Sequence, residues 1–275
     1  KLVHFIGKDN IVFHCIIFPI ILKMLGDYIL PFNVPANEFL NLEGRKISTS
    51  RNWAVWLHEY LEDFPNMQDV LRYVLTVNAP ETKDNDFTWK EFQMRNNSEL
   101  VAIYGNFVNR VLILIIKYYS GIVPNPDSLD NSNKKIIEQV KGFPKSIGKS
   151  LDEFKFREAI KSLMNLARIG NKYLADSEPW KLQKSNPEKV KEILYVGYII
   201  ICYLTILSEP FLPNTAKKLK SQLNLDEIKN WNDLDSLNTK IDFSSNIESK
   251  EVLFRKIEDD EILRQVEKLK KMSNQ

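Results

Sequence analysis

From Trp53 to the end of the chain, apolar residues recur at steps of three and four, a period that suits helices and not strands. Between Trp89 and Tyr119 the stripe is Leu100, Ile103, Phe107, Val111, Leu114 and Tyr118, and Gly121, Pro124 and Pro126 end it. A second helix sets Phe156, Ile160, Leu163, Ala167 and Leu174 on one face and Arg157, Lys161, Asn165, Arg168 and Lys172 on another. The first stripe packs and the second is wet; it could also track phosphates. After Pro179-Trp180 a third helix runs from about Glu188 to Leu207 and a shorter one starts near Pro213. Such a succession is a helical bundle.

The first fifty residues read differently. Leu2 to Ile6 is a β-type run, Gly7-Lys8-Asp9-Asn10 a loop, and Ile11 to Met24 a helix. In an open α/β sheet that unit puts its loop at the carboxyl end of a strand, where ligands bind. Asn37 to Leu42 is extended and turns at Glu43-Gly44 into the loop Lys46-Ile47-Ser48-Thr49-Ser50. The fold class is therefore α/β followed by all-α. At the far end, 230–250 is rich in Asn, Asp and Ser and reads as a surface connection, and the charged stretch Arg255 to Lys271 as a helix or a linker.

Composition narrows the class further. With 275 residues, 44% hydrophobic and 27% charged, the chain has enough apolar material for two domains. A net charge of +2, from 38 Lys and Arg against 36 Asp and Glu, neither demands nor excludes a nucleic-acid partner. Cys15 and Cys202 both lie in apolar runs, which suggests two buried free thiols and a reducing cytosol. No membrane partner is expected: no window reaches the roughly 18 uncharged apolar residues of a span, and Ile193 to Leu207, bounded by Glu192 and Glu209, reads as a buried helix. Lys1 leads straight into Leu2-Val3-His4-Phe5-Ile6, so the chain reads as a portion of something longer.

A loop with one cation and three hydroxyls suits a polyphosphate on which charge develops, although Lys-x-Ser-x-Ser also arises on plain solvated loops. In company with other segments it is more specific. Lys46-Ile47-Ser48-Thr49-Ser50 is similar to the Lys-Met-Ser-Lys-Ser signature of the methionine-tRNA ligases, a class I synthetase family. His4-Phe5-Ile6-Gly7-Lys8-Asp9 with Phe13-His14, Asn37 to Asn52, Asp69-Val70-Leu71-Arg72-Tyr73, Asp86-Phe87-Thr88-Trp89 and Asp176-Ser177-Glu178-Pro179-Trp180 resemble further landmarks of that family, in its order, across about residues 1–220.

The resemblance implies the remainder of a Rossmann-like catalytic domain over 1–52, a connecting helical segment over 53–90, an anticodon-binding helical bundle over 91–225, and a C-terminal connection with a charged tail over 226–275. It implies activation of methionine with ATP and Mg2+, then transfer to tRNA(Met), in the cytoplasm. Lys46, Ser48 and Ser50 would hold the leaving pyrophosphate; Thr49, standing where the family has a second lysine, supplies a hydroxyl in place of a cation. Gly7 and Asp9 would meet the adenylate, with a helix N-cap as the plain alternative for Asp9. Phe13 and His14 would line the methionine pocket, where an aromatic wall suits a thioether; otherwise Phe13 is core and His14 structural. Pro179 and Trp180 would take the anticodon by stacking; otherwise Trp180 fills the bundle. The helix bearing Phe107-Val108-Asn109-Arg110 should add contacts, with Glu99 and Ile103 where some relatives have an Asn and an Arg one turn apart.

The family's His-Ile-Gly-His motif is absent from these residues, and zinc belongs to a segment of the family not found here, so the parent protein is expected to be the ligase and the isolated chain inactive. A catalytically inactive tRNA-binding module, a paralogue that binds proteins, and another class I synthetase are the competing readings. A homodimer through a C-terminal extension is a further expectation.

Overall fold

The computed structural model describes every residue except 226, 229, 245, 248–251, 274 and 275. The expected strand Leu2 to Ile6 forms as two short pieces, β1 (Leu2–Val3) and β2 (Ile6–Gly7). β1 lies parallel to β3 (Pro31–Asn33) and β2 parallel to β4 (Ala36–Asn37), while the His4 and Ile6 amides donate to Asn33 and Pro35 carbonyls. The helix between them completes a β-helix-β crossover, the connection that parallel strands require. A 3₁₀ turn, Lys8–Asn10, opens that helix, and Gly26 at φ 109° ends it, a conformation that favours glycine.

The second sheet has the order β6-β5-β7. β5 (Leu40–Leu42) and β6 (Arg45–Lys46) form a hairpin whose two turn residues, Glu43 and Gly44, have φ of 50° and 74°. Positive φ at both positions matches the right-handed twist of the strands. The Gly44 amide donates to both Asp86 carboxylate oxygens, at 3.0 and 2.9 Å. Asp86 sits on β7 (Asn85–Phe87), parallel to β5, so the sheet joins residues on both sides of the expected boundary at residue 52.

Beyond it the fold is helical: Leu57–Asp63, Gln68–Val77, Trp89–Tyr119, Asn131–Lys141, Phe143–Asp152, Phe156–Ser177, Pro187–Ser208, Pro213–Gln222 and Asp259–Met272. The 89–119 helix is π-helical over Asn96–Gly105. A wider turn rotates every following residue, so the buried face is Leu100, Tyr104, Phe107, Val108, Val111, Leu112 and Ile115, and the expected Ile103, Leu114 and Tyr118 are only half-buried. Ser120 and Gly121, both at positive φ, stop the helix where the sequence predicts. The closing charged stretch is a helix packed back on the fold: Lys268 pairs with Glu59 at 2.9 Å and Asp63 at 2.8 Å. Gln93 and Asn97 side chains donate to the Ile257 carbonyl, and Asn96 to that of Arg255. The predicted connection over 230–250 lies partly outside the described residues; its described part includes the 3₁₀ turn Trp231–Ser236 and the short helix Leu237–Lys240.

One sequence expectation, the buried helix over Ile193 to Leu207, is met, and one needs correction. Helices Trp89–Tyr119 and Pro187–Ser208 are long and apolar enough to cross a membrane by length and composition. The second is the bundle's axis, with every residue from Ile193 to Ser208 buried, which explains its composition without a bilayer. Cys202 is buried, but Cys15 is exposed. It rides on the helix Phe13–Leu25, of which Phe13, Ile16, Ile17, Ile20, Ile21, Met24 and Leu25 are exposed, as is Phe32 on β3. Together they form an exposed apolar face on the N-terminal layer.

Candidate functional site

The Lys46 loop starts where β6 ends and closes on itself. Ser48 and Trp53 exchange both backbone hydrogen bonds at 2.9 Å, the Asn52 amide donates to the Thr49 carbonyl at 3.1 Å, and the Trp53 indole anchors the turn by donating to the Leu42 carbonyl. The Ser48 and Ser50 hydroxyls lie 3.2 Å apart, and Lys46, Thr49 and Ser50 are exposed. Two lysines meet at the exposed ring of Phe39: Lys8 Nζ is 4.4 Å and Lys46 Nζ 5.5 Å from its centroid. That ring brings the Gly7-Lys8-Asp9 turn and the Lys46 loop together. Lys8 is neutralised, because Asp84 and Glu38 both accept from it and hold it above the usual lysine range, and Asp84 is correspondingly held down. No described carboxylate pairs with Lys46, so its charge is free for an anion.

Gly7 has a local reason. A Cβ there would stand 2.7 Å from Asp9 Oδ1, so only glycine lets that carboxylate fold back over the turn. The Asp9 side chain does not cap the helix, and no described residue donates to it. Phe13 is 48% exposed, so it is not core. Half-buried His14 brings Nδ1 within 3.2 Å of His4 Nδ1, and Phe13 and His14 meet edge to face at 5.3 Å. A hydrogen bond between the two Nδ1 atoms needs one ring to donate and the other to accept. Sequence reasoning singled out His14 but not its partner; strand-to-helix packing pairs them.

At the other end, Glu178 adopts the left-handed conformation after the 156–177 helix, and a single turn, Pro179–Leu182, follows. Pro179 is buried and holds the turn, whereas Trp180 is 39% exposed with the Arg110 guanidinium 5.3 Å from its ring centre. A tryptophan filling the bundle would be shielded; this one faces outward. Glu99 does not join it: Glu99 accepts from Arg95 at 2.7 Å and from the Tyr73 hydroxyl. The Ile103 carbonyl accepts from Asn171. The residue that the long helix delivers to Trp180 is Arg110, on the turn the sequence named.

A family model described as "tRNA synthetases class I (M)" matches residues 1–112, and one described as "Anticodon binding domain of methionyl tRNA ligase" matches 123–273. The chain belongs to the methionine-tRNA ligase family. Relatives named methionine-tRNA ligase include those of Christiangramia forsetii, 63% identical over 98% of this chain and 40% of its own length, and Flavobacterium psychrophilum, 60% identical over 98% and 39%. The chain thus spans about 40% of the curated ligases it matches. Among solved structures, the free state of Mycobacterium tuberculosis methionyl-tRNA synthetase superposes with a TM-score of 0.82 at 22% identity, covering 94% of this chain and 50% of that one. The same synthetase in complex with methionyl-adenylate gives 0.80 at 24% identity, covering 92% and 49%. These neighbours share its fold: a class I catalytic fragment followed by a helical anticodon-binding domain.

Proposed function

We propose that this chain is a portion of a cytoplasmic methionine-tRNA ligase that activates methionine with ATP and transfers it to tRNA(Met), with the Lys46 loop serving the leaving pyrophosphate and Trp180 the anticodon. The observation that carries the reading is the free charge of Lys46, beside two hydroxyls 3.2 Å apart and across one aromatic ring from the Gly7 turn. The names of the relatives and the methionyl-adenylate bound by a structural neighbour support it.

The chemistry asks the loop for little covalent help. A carboxylate oxygen of methionine attacks the α-phosphorus, the bond to the bridging oxygen breaks, and pyrophosphate leaves with the electron pair. Lys46, Ser48 and Ser50 would donate to the departing oxygens as their charge grows, and a contact made only then lowers the barrier by about 3 kcal/mol. Thr49 adds one hydroxyl. The donors are cation and hydroxyl groups, which fit phosphate oxygens and not a metal cage, so these residues would meet Mg2+ only through the nucleotide. Asp9, which accepts from no described residue, would receive the adenylate ribose or the methionine ammonium. Phe13 and His14 would form the thioether pocket, His4 setting the tautomer of His14.

The isolated chain is proposed to be inactive, since it carries no His-Ile-Gly-His motif and its apolar helix face is uncovered. The test therefore uses a parent-length ligase. Lys46→Ala should lower methionine-dependent ATP-pyrophosphate exchange by about 10²- to 10³-fold and leave tRNA affinity unchanged. Unchanged exchange would reject the assignment and favour a tRNA-binding module.

A further inference from the structure

Successive residues of a strand face opposite ways, and β6 uses that alternation to separate its two cations. The Arg45 guanidinium lies 4.8 Å from the centre of the Trp53 ring, and the Lys46 ammonium 5.5 Å from that of Phe39. Trp53 is buried and its indole is tied to the Leu42 carbonyl, so Arg45 is held to the hairpin itself. Phe39 lies one residue ahead of β5 and is exposed, so Lys46 is drawn away from the hairpin toward the Gly7 turn.

The backbone of Phe39 is held on both sides. Its amide donates to Asp84 Oδ1 at 3.0 Å, its carbonyl accepts from the Asn85 amide at 2.9 Å, and the Glu38 amide donates to the Pro80 carbonyl at 2.8 Å. Lys8 completes the support. Its ammonium, 4.4 Å from the same ring centre, donates to both Glu38 and Asp84. Those two carboxylates neutralise Lys8, whereas no described carboxylate pairs with Lys46. The distinction matters for what each lysine can still do. A carboxylate holds an ammonium by accepting its N–H groups; an aromatic face holds it through the ring quadrupole and leaves those donors for another acceptor.

From this we infer that Phe39 is a positioning residue for Lys46: its ring seats the ammonium beside the Gly7 turn with its donors unused, and Lys8, Glu38 and Asp84 hold the seat in place. The inference rests on the pyrophosphate reading of the Lys46 loop and deepens it. Phe39 acts on the reaction through Lys46, so its effect disappears when that ammonium is removed.

A double-mutant cycle between positions 39 and 46, read by methionine-dependent ATP-pyrophosphate exchange in a parent-length ligase, tests this. The hold of an exposed ring on a cation corresponds to about 2- to 5-fold in rate. Phe39→Leu should lower kcat by that factor with KM for methionine unchanged, and Phe39→Tyr, which keeps the ring face, should retain full activity. In the Lys46→Ala background Phe39→Leu should change nothing further. Far-UV circular dichroism confirms that each variant folds. An equal loss in both backgrounds makes Phe39 a structural residue and overturns the seat, as does full activity in Phe39→Leu where Lys46→Ala is impaired. If Lys46→Ala itself leaves exchange unchanged, the pyrophosphate reading falls and the seat falls with it.

Discussion

Gly170 sets bare backbone against the ring of Phe107, where the helix that precedes Trp180 meets the helix that carries Arg110. A methyl group built on it would meet three carbons of the Phe107 ring at 2.4, 2.6 and 2.6 Å. Carbon pairs prefer about 3.5–4.0 Å, so the ring must retreat by roughly 1 Å, yet Phe107 is wholly buried and has no room to move into. Overpacking of this kind costs about 1–3 kcal/mol, and alanine regains up to ~1 kcal/mol of helix propensity over glycine. Gly170→Ala should therefore lose about 1–2 kcal/mol, equivalent to roughly 2–8 °C in Tm for a chain of this size. Because Arg110 follows Phe107 by one turn, the strain also shifts the guanidinium relative to Trp180. Urea unfolding followed by far-UV circular dichroism reads the loss. In the Phe107→Leu background the same substitution should be nearly neutral, since the smaller side chain vacates the space. An unchanged or raised midpoint for Gly170→Ala, or strict additivity in the double variant, would refute the packing argument.

Two further stability predictions follow from buried and paired carboxylates. Asp69 is 4% exposed and accepts from the Thr215 amide at 2.7 Å, the Thr215 hydroxyl at 2.8 Å and the Asn214 side chain at 3.2 Å. Asp69→Asn turns a donor toward donors at the start of the 213–222 helix and should lose about 2 kcal/mol in urea titration. For Asp63, burial pushes the carboxyl up, but hydrogen bonds from Lys268 and Gln265 outweigh it and hold the group below its ordinary range. Its contribution is present above the unfolded carboxyl pKa of about 4 and is lost as pH falls through the depressed value. The urea midpoint of Asp63→Asn should thus fall short of the wild type's at pH 6 and converge with it as pH falls through the depressed value; a gap that persists in acid would count against the ion pair.

How much of this was legible in sequence follows from the range of the forces involved. Helices such as Phe156–Ser177 and Pro187–Ser208 were readable because their apolar period is local and long. The helices Asn131–Lys141 and Phe143–Asp152 were not, being short and rich in lysine. No local pattern marks the π-helical stretch Asn96–Gly105, which moved the inward face away from Ile103 and Leu114. The exposure of Cys15 was hidden because an apolar run looks the same whether or not a layer covers it. In the candidate site, residue types were legible and encounters were not. Lys46 and Trp180 carry their chemistry in their identity, while Phe39 between two lysines, His4 against His14 and Arg110 on Trp180 are products of tertiary packing.

The claim at the centre of this account is that Trp180, held outward by buried Pro179, reads an anticodon. Competition binding of this chain to methionine tRNA against the same tRNA with a swapped anticodon tests it most directly. Stacking on an exposed ring contributes about 1–3 kcal/mol per base, so the wild type should prefer its own anticodon by roughly 5- to 150-fold, and Trp180→Ala should erase that preference while retaining the nonspecific, salt-sensitive affinity. Equal binding of both RNAs by the wild type, or an undiminished preference in Trp180→Ala, would contradict it.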